Sequence, residues 1–358
     1  MSNKIAIIGI VGLPAIYGGF ETLAEYLTKY LGKKFEITVY CSNKSYSNKL
    51  DEYNDVKLVY LPLNANGAQS ILYDILSILK AMHYADTLLI LGVSGCIFLP
   101  LAKLISRKKI VVNIDGLEWK RGKWNNFAKW FLRLSEQLAV KYADEVVTDN
   151  KVIQNYVLTE YKVESKLIAY GADHVKKMAL SKDILDLYPF LQDKYAFSVC
   201  RIEPENNIHI ILEAVAMQDK VPLILVGNWQ VSQYGLDLYA KYAGIEHIHL
   251  LSSIYDQNVL NQLRSNCMVY LHGHSAGGTN PSLVEAMYLG LPIFSYAVDY
   301  NIETTENQAQ YFSSVGELRH LLIHHDANLR LAIGKKMSEI ANRRYRWDII
   351  ASQYAELM

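Results

Sequence analysis

The densest group of chemistry-bearing residues in this sequence is a glycine turn followed by polar side chains. It combines glycines, hydroxyl and amide groups and one carboxylate: Gly277, Gly278, Thr279, Asn280, Ser282 and Glu285. Bare N–H groups in such a turn and the positive end of a following helix both attract a phosphate. Glu285 repels a phosphate but suits a sugar hydroxyl. The stretch predicts a nucleotide-diphosphate site, and the alternative is an ordinary strand-to-helix connection.

Three further loops carry candidate binding groups. Gly18 and Gly19 precede a predicted helix and again offer bare N–H groups, unless they form a simple glycine turn. Arg201 follows a predicted strand, and its planar guanidinium suits a diphosphate, with a surface ion pair as the alternative. The third loop can orient an acceptor hydroxyl or supply a base, unless it is only a solvated loop. Its candidate residues are Asp115, Glu118, Trp119 and Lys120.

The elements that position these loops alternate between strand and helix patterns. Apolar runs at residues 268–271 and 293–296 predict strands on either side of a helix over residues 282–289, which begins after Pro281 and ends at Gly290. The same alternation fills the first half of the chain, including a long predicted helix over residues 124–142. Repeated strand–helix units predict an α/β fold with parallel sheets that helices cover on both faces.

A polar stretch near residues 172–192 interrupts the alternation, which then restarts. We therefore predict an N-terminal Rossmann-like acceptor domain at residues 1–172 and a C-terminal Rossmann-like donor domain at residues 173–342. The last segment, residues 343–358, is predicted as a helix that packs back toward the N-terminal domain.

Composition limits the other classes of protein. The four cysteines are far apart, and His272 and His274 have no evident third ligand, so no zinc or other metal site is predicted. The longest uncharged run, residues 87–102, contains glycine and proline and is shorter than the roughly 20 residues of a membrane helix, so it predicts a buried strand over residues 87–91, a turn and a helix start. No signal peptide is recognised at the N-terminus.

The net charge of zero hides a difference between the two halves of the chain. Residues 1–180 carry 23 Lys and Arg against 17 Asp and Glu, which gives +6, and the remainder carries −6. Basic and aromatic residues are interleaved over residues 103–141, including Lys120, Arg121, Lys123, Trp124 and Trp130. This mix predicts contact with an anionic membrane surface, and the alternative is a solvated face over core aromatics.

Four motifs together resemble one family. They are YGGFETLAEYL, NIDGLEWKRGKW, CRIEPENN and GGTNPSLVEAM. The chain resembles the retaining GT-B glycosyltransferases, the large family that includes sucrose synthase and glycogen synthase. Within it, the motifs resemble a bacterial subgroup of rhamnosyltransferases. The resemblance spans nearly the whole chain and implies two Rossmann-like domains that face each other across a cleft.

The resemblance also implies roles for matching residues. Arg201 would bind the donor diphosphate, and Glu285 would hold the nucleotide ribose. Gly278 and Thr279 would offer amides to the donor, while Gly18 and Gly19 would line the N-terminal side of the cleft. Three positions depart from the usual pattern of the family. Asn206 stands in place of a lysine, Gly277 in place of a glutamate and Asp115 in place of a histidine, and Asn206 is still expected among the donor-binding residues.

The sequence thus leads to a specific hypothesis: a retaining hexosyltransferase that moves L-rhamnose from dTDP-L-rhamnose to a lipid-linked saccharide during cell-surface polysaccharide assembly. Asp115, Arg201 and Glu285 are its candidate catalytic residues, and no metal, other cofactor or nucleic acid is expected. The expected location is cytoplasmic, peripheral at the inner face of the cell membrane. The alternatives are a UDP-hexose-dependent transferase, a sugar-nucleotide epimerase of the same fold and a non-catalytic nucleotide-sugar-binding protein.

Overall fold

The computed structural model describes residues 3–16, 18–122, 124–324 and 326–358. The chain divides into two compact units: unit 1 comprises Met1–Tyr170 and Trp347–Met358, and unit 2 comprises Gly171–Arg346. Each unit is organised around one predominantly parallel β-sheet. The predicted α/β class with two parallel-sheet domains is therefore confirmed.

Unit 1 contains an eight-stranded sheet. Its strands are β1 (Lys4–Ile8), β2 (Glu36–Ser42), β3 (Glu52–Tyr53), β4 (Val56–Leu61), β5 (Thr87–Leu91), β6 (Lys109–Asn113), β7 (Glu145–Thr148) and β8 (Lys166–Leu167). They lie in the order β3-β4-β2-β1-β5-β6-β7-β8, and β3 pairs with β4 in the antiparallel sense. Strand β5 is buried along its whole length, as expected for a parallel strand covered on both faces.

The helices between these strands are α1 (Gly19–Leu31), α2 (Gln69–Ala81), α3 (Leu99–Ile105), α4 (Asn126–Tyr142) and α5 (Lys151–Tyr161). Helix α4 begins two residues later than predicted because Asn125 caps it, accepting the Ala128 N–H at 2.9 Å. Helix α5 was not predicted. Its cap is Asn150, which accepts the Val152 N–H at 2.9 Å.

Unit 2 contains a six-stranded parallel sheet in the order β11-β10-β9-β12-β13-β14. Its strands are β9 (Ala196–Val199), β10 (Leu223–Val226), β11 (Ile248–Leu251), β12 (Val269–His272), β13 (Ile293–Tyr296) and β14 (Gln310–Phe312). Its helices are α6 (Lys182–Leu187), α7 (Ile208–Ala216), α8 (Gln233–Tyr242), α9 (Gln257–Ser265), α10 (Pro281–Tyr288), α11 (Asp299–Thr304), α12 (Val315–His324) and α13 (Ala327–Arg344).

Three elements of unit 2 are additions to the predicted pattern. Helix α6 lies in the stretch interpreted as polar linker, where Ser181 caps it. Helix α11 and strand β14 are short, with six and three residues, so neither builds up a recognisable periodicity.

The last helix, α14 (Trp347–Glu356), belongs to unit 1. The Trp347 ring stacks on Tyr26 of α1 with ring centroids 4.5 Å apart. The Tyr354 hydroxyl accepts a hydrogen bond from Asn113 Nδ2 at 2.8 Å, at the end of β6. The C-terminal helix therefore helps to fix the loop that follows β6.

The long uncharged run forms β5, a 3-10 turn at Cys96–Phe98 and α3, so the predicted strand, turn and helix start are confirmed. Among the described residues, no helix combines the length and apolar character needed to cross a membrane.

Candidate functional site

The loops after β9 and β12 of unit 2 are joined at the carboxyl ends of these adjacent strands. The Asn207 amide donates to the Gly273 carbonyl at 2.8 Å, and both the N–H and the hydroxyl of Ser275 donate to the Glu205 carbonyl at 2.9 Å. A Cβ atom on Gly273 would lie 2.1 Å from the Asn206 carbonyl oxygen, so only glycine fits. The chain changes direction across the sheet here, which is where open parallel sheets bind ligands.

Asn206 lies inside this junction. It is buried, its amide group donates to the Arg201 carbonyl at 2.7 Å, and its oxygen lies 2.7 Å from His274 Nδ1. The structure therefore shows this predicted donor-binding residue fixing the backbone of two neighbouring loops. Direct contact between Asn206 and a donor stays a prediction.

Arg201 follows β9. It lies at the edge of the sheet where the sequence predicted a diphosphate-binding cation. Its side chain is 35% exposed, and its Nη1 lies 3.6 Å from Glu203 Oε2, too far for a good hydrogen bond. The surface ion pair considered as the alternative is therefore present, with a long distance between Arg201 and Glu203. A doubly charged diphosphate can compete with one partly exposed carboxylate, so this arrangement is compatible with anion binding.

The N-terminus of α10 has the predicted glycine turn before it. Gly277 has φ +102°, in the left-handed region that favours glycine, and Gly278 and Thr279 are buried. Asn280 Oδ1 accepts the Ser282 N–H at 3.0 Å and the Ser282 hydroxyl at 2.8 Å. Asn280 therefore caps the helix and also holds the Ser282 hydroxyl, and contact of either side chain with a donor stays a prediction. Anion binding at this helix would rest chiefly on backbone N–H groups.

Glu285 lies one turn into α10 and is held by Arg264 and His174. Its Oε1 is 3.1 Å from His174 Nε2, and its Oε2 is 2.5 Å from Nη1 of Arg264. Arg264 is in the last turn of α9 and only 1% exposed. Burial alone would raise the pKa of Glu285, but the charge of Arg264 and the hydrogen bonds with His174 and Arg264 outweigh it and lower this pKa to about 2. The carboxylate is therefore ionised and fixed in direction.

Sequence reasoning missed both partners of Glu285. The sequence pattern could have indicated Arg264, because this residue stands four positions after Leu260, on the face of α9 that the apolar residues occupy. A charge on a predicted buried face implies a buried partner. His174 had no such signal, since its contact with Glu285 spans 111 positions.

The two histidines at the end of β12 differ in their surroundings. His274 is bonded to Asn206, whereas burial lowers the pKa of His272 to about 3 and keeps that ring neutral. Within the described ranges, no group of three or more His, Cys, Asp or Glu side chains could hold a metal ion.

Asp115 of unit 1 follows β6 in a strained conformation. Its φ of 62° is unusual for a residue with a side chain. The Asp115 N–H donates to Asn113 Oδ1 at 3.0 Å, and the Asn113 amide group is in turn bonded to Tyr354. Strained residues of this kind cluster at functional sites, and the role of Asp115 stays a prediction.

The glycine turn before α1 encloses a second carboxylate that the sequence analysis did not single out. Glu21 is buried and its Oε1 accepts the Val11 N–H at 2.8 Å. Gly18 has φ 109°, and a Cβ there would lie 2.1 Å from Glu21 Oε2, so this glycine is required. Gly19 is the first residue of α1. Burial, with a smaller contribution from Asp115, raises the pKa of Glu21. Glu21 and Asp115 thus lie in one electrostatic environment.

Glu118, Trp119 and Lys120, the other predicted acceptor residues, make contacts within the loop after β6 and with α4. Glu118 pairs with Arg121 Nε at 2.8 Å and accepts the Trp124 indole N–H at 3.1 Å. The Trp119 ring has Lys120 Nζ at 5.4 Å and Arg133 Cζ at 5.2 Å from its centroid. Contact between these side chains and an acceptor stays a prediction.

Comparison with known protein families finds one match in each half of the chain. Residues 187–316 match the family described as Glycosyl transferases group 1, and residues 2–173 match a domain of unknown function, DUF1972. No curated protein sequence matches the chain.

Solved structures with similar folds cover almost the entire chain. Sucrose-phosphate synthase from Thermosynechococcus elongatus has a TM-score of 0.81 at 16% identity, covering 99% of this chain and 98% of its own. HepE from Anabaena, in complex with UDP and glucose, has a TM-score of 0.74 at 18% identity, with the same coverage. The trehalose-6-phosphate synthase OtsA has a TM-score of 0.75 at 11% identity and covers 99% of both chains.

Two parallel-sheet α/β domains in this arrangement of elements define the GT-B fold. Within unit 2, residues 187–316 carry a domain that matches the glycosyl transferases group 1 family.

Proposed function

We propose that this protein is a glycosyltransferase that transfers L-rhamnose from dTDP-L-rhamnose to a lipid-linked saccharide, with retention of configuration, in the assembly of a cell-surface polysaccharide. The observation that carries the donor side is the arrangement at α10. A glycine turn leads into a helix N-terminus, and an ionised, doubly held carboxylate follows one turn later. Such a pair of groups suits a diphosphate joined to a sugar hydroxyl.

In this proposal the diphosphate oxygen is the leaving group. The bond between the anomeric carbon and that oxygen breaks, the acceptor oxygen bonds to the same face of the carbon, and the acceptor proton passes to the departing diphosphate. Arg201 and the N–H groups at the start of α10 stabilise the charge that develops on the leaving oxygen. Asp115 orients the acceptor hydroxyl. This scheme needs no metal ion.

A UDP-hexose is the alternative donor among glycosyltransferases. In the proposed site Glu285 accepts hydrogen bonds from ribose hydroxyls, and a dTDP donor offers only the 3′-hydroxyl for this contact. A UDP-hexose offers two hydroxyls to the same carboxylate. The similarity to HepE, which was solved with UDP and glucose, favours UDP-hexose as the second candidate.

A sugar-nucleotide epimerase is less well supported by the side chains present. It needs acid and base groups that change protonation near the donor sugar. Of the histidines near the switch point, His272 has a pKa of about 3, and Nδ1 of His274 is bonded to Asn206. His272 therefore supplies no acid near neutral pH.

The acceptor proposal rests on the loop after β6. Asp115 is held there in a strained conformation near the buried Glu21, and Trp119 and Lys120 follow. We place the enzyme on the cytoplasmic side, peripheral to the membrane in which a lipid-linked acceptor would lie.

A donor panel tests the proposal. The protein is incubated with dTDP-L-rhamnose, dTDP-glucose, UDP-glucose or UDP-N-acetylglucosamine without acceptor, and NMR follows nucleotide release and sugar isomers. We expect slow release of dTDP from dTDP-L-rhamnose alone. Release of UDP from UDP-glucose would favour the second candidate, and a new isomer still joined to its nucleotide would establish an epimerase. No change in any donor would contradict the proposed transferase.

A further inference from the structure

A lysine in the loop after β6 lies against two aromatic rings. Lys120 Nζ is 5.4 Å from the centroid of the Trp119 ring and 5.8 Å from that of the Tyr156 ring, and both distances are in the range of a cation–π contact. Trp119 is its neighbour in the loop, whereas Tyr156 belongs to α5. The two rings therefore hold an exposed ammonium group in the loop that contains Asp115.

Tyr156 is itself fixed by a buried carboxylate of α4. Its hydroxyl donates to Glu136 Oε1 at 2.9 Å, and the Tyr161 hydroxyl donates to the same oxygen at 2.7 Å. Glu136 is only 1% exposed, and the two tyrosine rings meet edge to face with centroids 5.7 Å apart. Burial raises the pKa of Tyr156 to about 12, so its hydroxyl stays a donor near neutral pH. The ring in contact with Lys120 is therefore fixed in position and direction.

Lys120 differs in its charge balance from the other cation over the same ring. Arg133 Cζ lies 5.2 Å from the Trp119 centroid, but Arg133 also pairs with Glu160 at 2.7 Å. Lys120 has no ion pair with any residue that the structure describes, and Lys123 lies outside those residues. A cation that is already fixed, and that no carboxylate neutralises, loses little side-chain entropy when it binds an anion. Lys120 is therefore suited to an anionic group of a ligand.

We propose that Lys120 binds a phosphate group of the linker that joins the acceptor saccharide to its lipid, and that Tyr156 is a positioning residue for this contact. The proposal rests on the proposed function and deepens it, because it names the part of the acceptor that the loop recognises. A lysine ammonium group binds phosphate as a point charge with strong hydrogen bonds. Tyr156 is not among the residues that the sequence indicated, because α5 was not predicted.

Three short-chain probes, each used below the concentration at which it aggregates, test the contact by isothermal titration. They are octyl diphosphate-linked N-acetylglucosamine, the uncharged octyl N-acetylglucosaminide, and dihexanoyl phosphatidylglycerol, which represents a membrane headgroup. The quantity compared is the charge preference, the affinity for the diphosphate-linked saccharide divided by the affinity for the uncharged saccharide.

Three variants of unit 1 and one matched control are titrated. K120Q removes the charge, Y156L removes the ring, and Y156F keeps the ring but removes the hydrogen bond to Glu136. The control is K241Q, which removes a cation that lies 4.9 Å from the ring centroid of Tyr242 in unit 2. Circular dichroism melts confirm that every variant folds.

We expect a charge preference of about tenfold or more in the wild-type protein and in K241Q, since a hydrogen bond to a charged group contributes this much. K120Q and Y156L should each reduce the preference to about threefold or less, and Y156F should reduce it by a smaller factor because the ring remains. The preference should shrink as added salt screens the charges. Phosphatidylglycerol should bind the wild type about tenfold more weakly than the diphosphate-linked saccharide.

Three results would overturn the proposal. The wild type shows no charge preference or binds neither saccharide, or K120Q keeps the preference of K241Q, or Y156L weakens both saccharides equally, as a purely structural role would. Phosphatidylglycerol that binds as tightly as the diphosphate-linked saccharide would assign Lys120 to a membrane headgroup instead.

Donor turnover, measured on the wild type, separates this proposal from the proposed function. If the charge preference behaves as expected but no nucleotide sugar is turned over, the proposed function fails and the phosphate contact stands. If a nucleotide sugar is turned over but the charge preference is absent, the proposed function stands and the phosphate contact fails.

Discussion

Replacing Arg264 with methionine removes the buried cation opposite Glu285, and we expect this change to destabilise unit 2 by several kcal/mol. Methionine keeps an unbranched apolar stem of similar reach, so the main loss is the charge. Glu285 would retain His174 as a partner. Without Arg264, however, the buried carboxylate would lose the positive charge that holds it ionised.

The magnitude follows from two independent arguments. Removing one partner of a buried ion pair typically costs about 3–5 kcal/mol. The fall in the pKa of Glu285 from 4.5 to about 2 in the folded protein combines the effects of burial, Arg264 and His174, and it corresponds to roughly 3 kcal/mol, at about 1.4 kcal/mol for each pH unit. The two figures agree, so we expect Arg264→Met to lower the free energy of unfolding of unit 2 by about 3 kcal/mol at pH ~7.

The pH dependence has a defined sign. Because folding lowers the pKa of Glu285, its contribution to stability is complete above 4.5 and is lost as the pH falls from 4.5 towards 2. Without Arg264, burial raises this pKa and favours the neutral acid. The stability difference between wild type and variant should therefore be largest at neutral pH and shrink in acid.

Urea unfolding of fluorotryptophan-labelled protein measures this effect in unit 2 alone. Of the five tryptophans, Trp229 is the one in unit 2, so fluorine NMR separates its signal from those of unit 1. The matched control is Arg343→Met, which breaks the exposed pair of Arg343 with Glu306. An exposed pair is typically worth about 0–1 kcal/mol. The double variant Arg264→Met with Glu285→Gln completes a thermodynamic cycle.

The reasoning would be refuted by either of two outcomes. The first is a loss in Arg264→Met no larger than in the Arg343→Met control. The second is additivity of the Arg264 and Glu285 changes, which would show that the two side chains do not interact. In the expected result, the second substitution costs much less in the Arg264→Met background than in the wild type.

Three further predictions concern the site. Arg201→Ala should lose about 2–4 kcal/mol of transition-state stabilisation, at least a 30-fold fall in nucleotide release; a rate above half that of the wild type would contradict its role. Asp115→Asn should reduce transfer to an acceptor by about 100-fold or more while nucleotide affinity stays the same, and equal losses in both would indicate a structural role. Gly273→Ala should lower the melting temperature of unit 2 and weaken nucleotide binding, since its Cβ would lie 2.1 Å from a backbone oxygen, whereas Gly244→Ala, with open space around it, should change neither.

Much of the fold followed from the sequence because parallel strands that are buried on both faces read as apolar runs. Strands such as β5 and β12 have this pattern and were predicted close to their observed bounds. Helix α5 was missed because only Ile153 and Val157 are buried, which is too few for a clear helical period. Element boundaries shifted where a side chain such as Asn125 caps a helix, which is decided by local hydrogen bonding.

Less of the candidate site could be predicted. The backbone features were visible, because Gly277 and Pro281 are local signals for a turn and a helix start. The side-chain contacts were not, since the Asn206–His274 and His174–Glu285 contacts join residues 68 and 111 positions apart. The same limit applies to the surface charges, where pairing of cations with acids from other elements reduces the positive character that the sequence suggested.

Isothermal titration of the wild-type protein and of Arg201→Ala with dTDP-L-rhamnose tests the central claim most directly. The account predicts stoichiometric binding to the wild type and binding at least tenfold weaker to the variant, since a charged hydrogen bond is worth about 1.5–3 kcal/mol. Undiminished binding in Arg201→Ala, or no binding of dTDP-L-rhamnose or any other nucleotide-diphosphate sugar to the wild type, would contradict it.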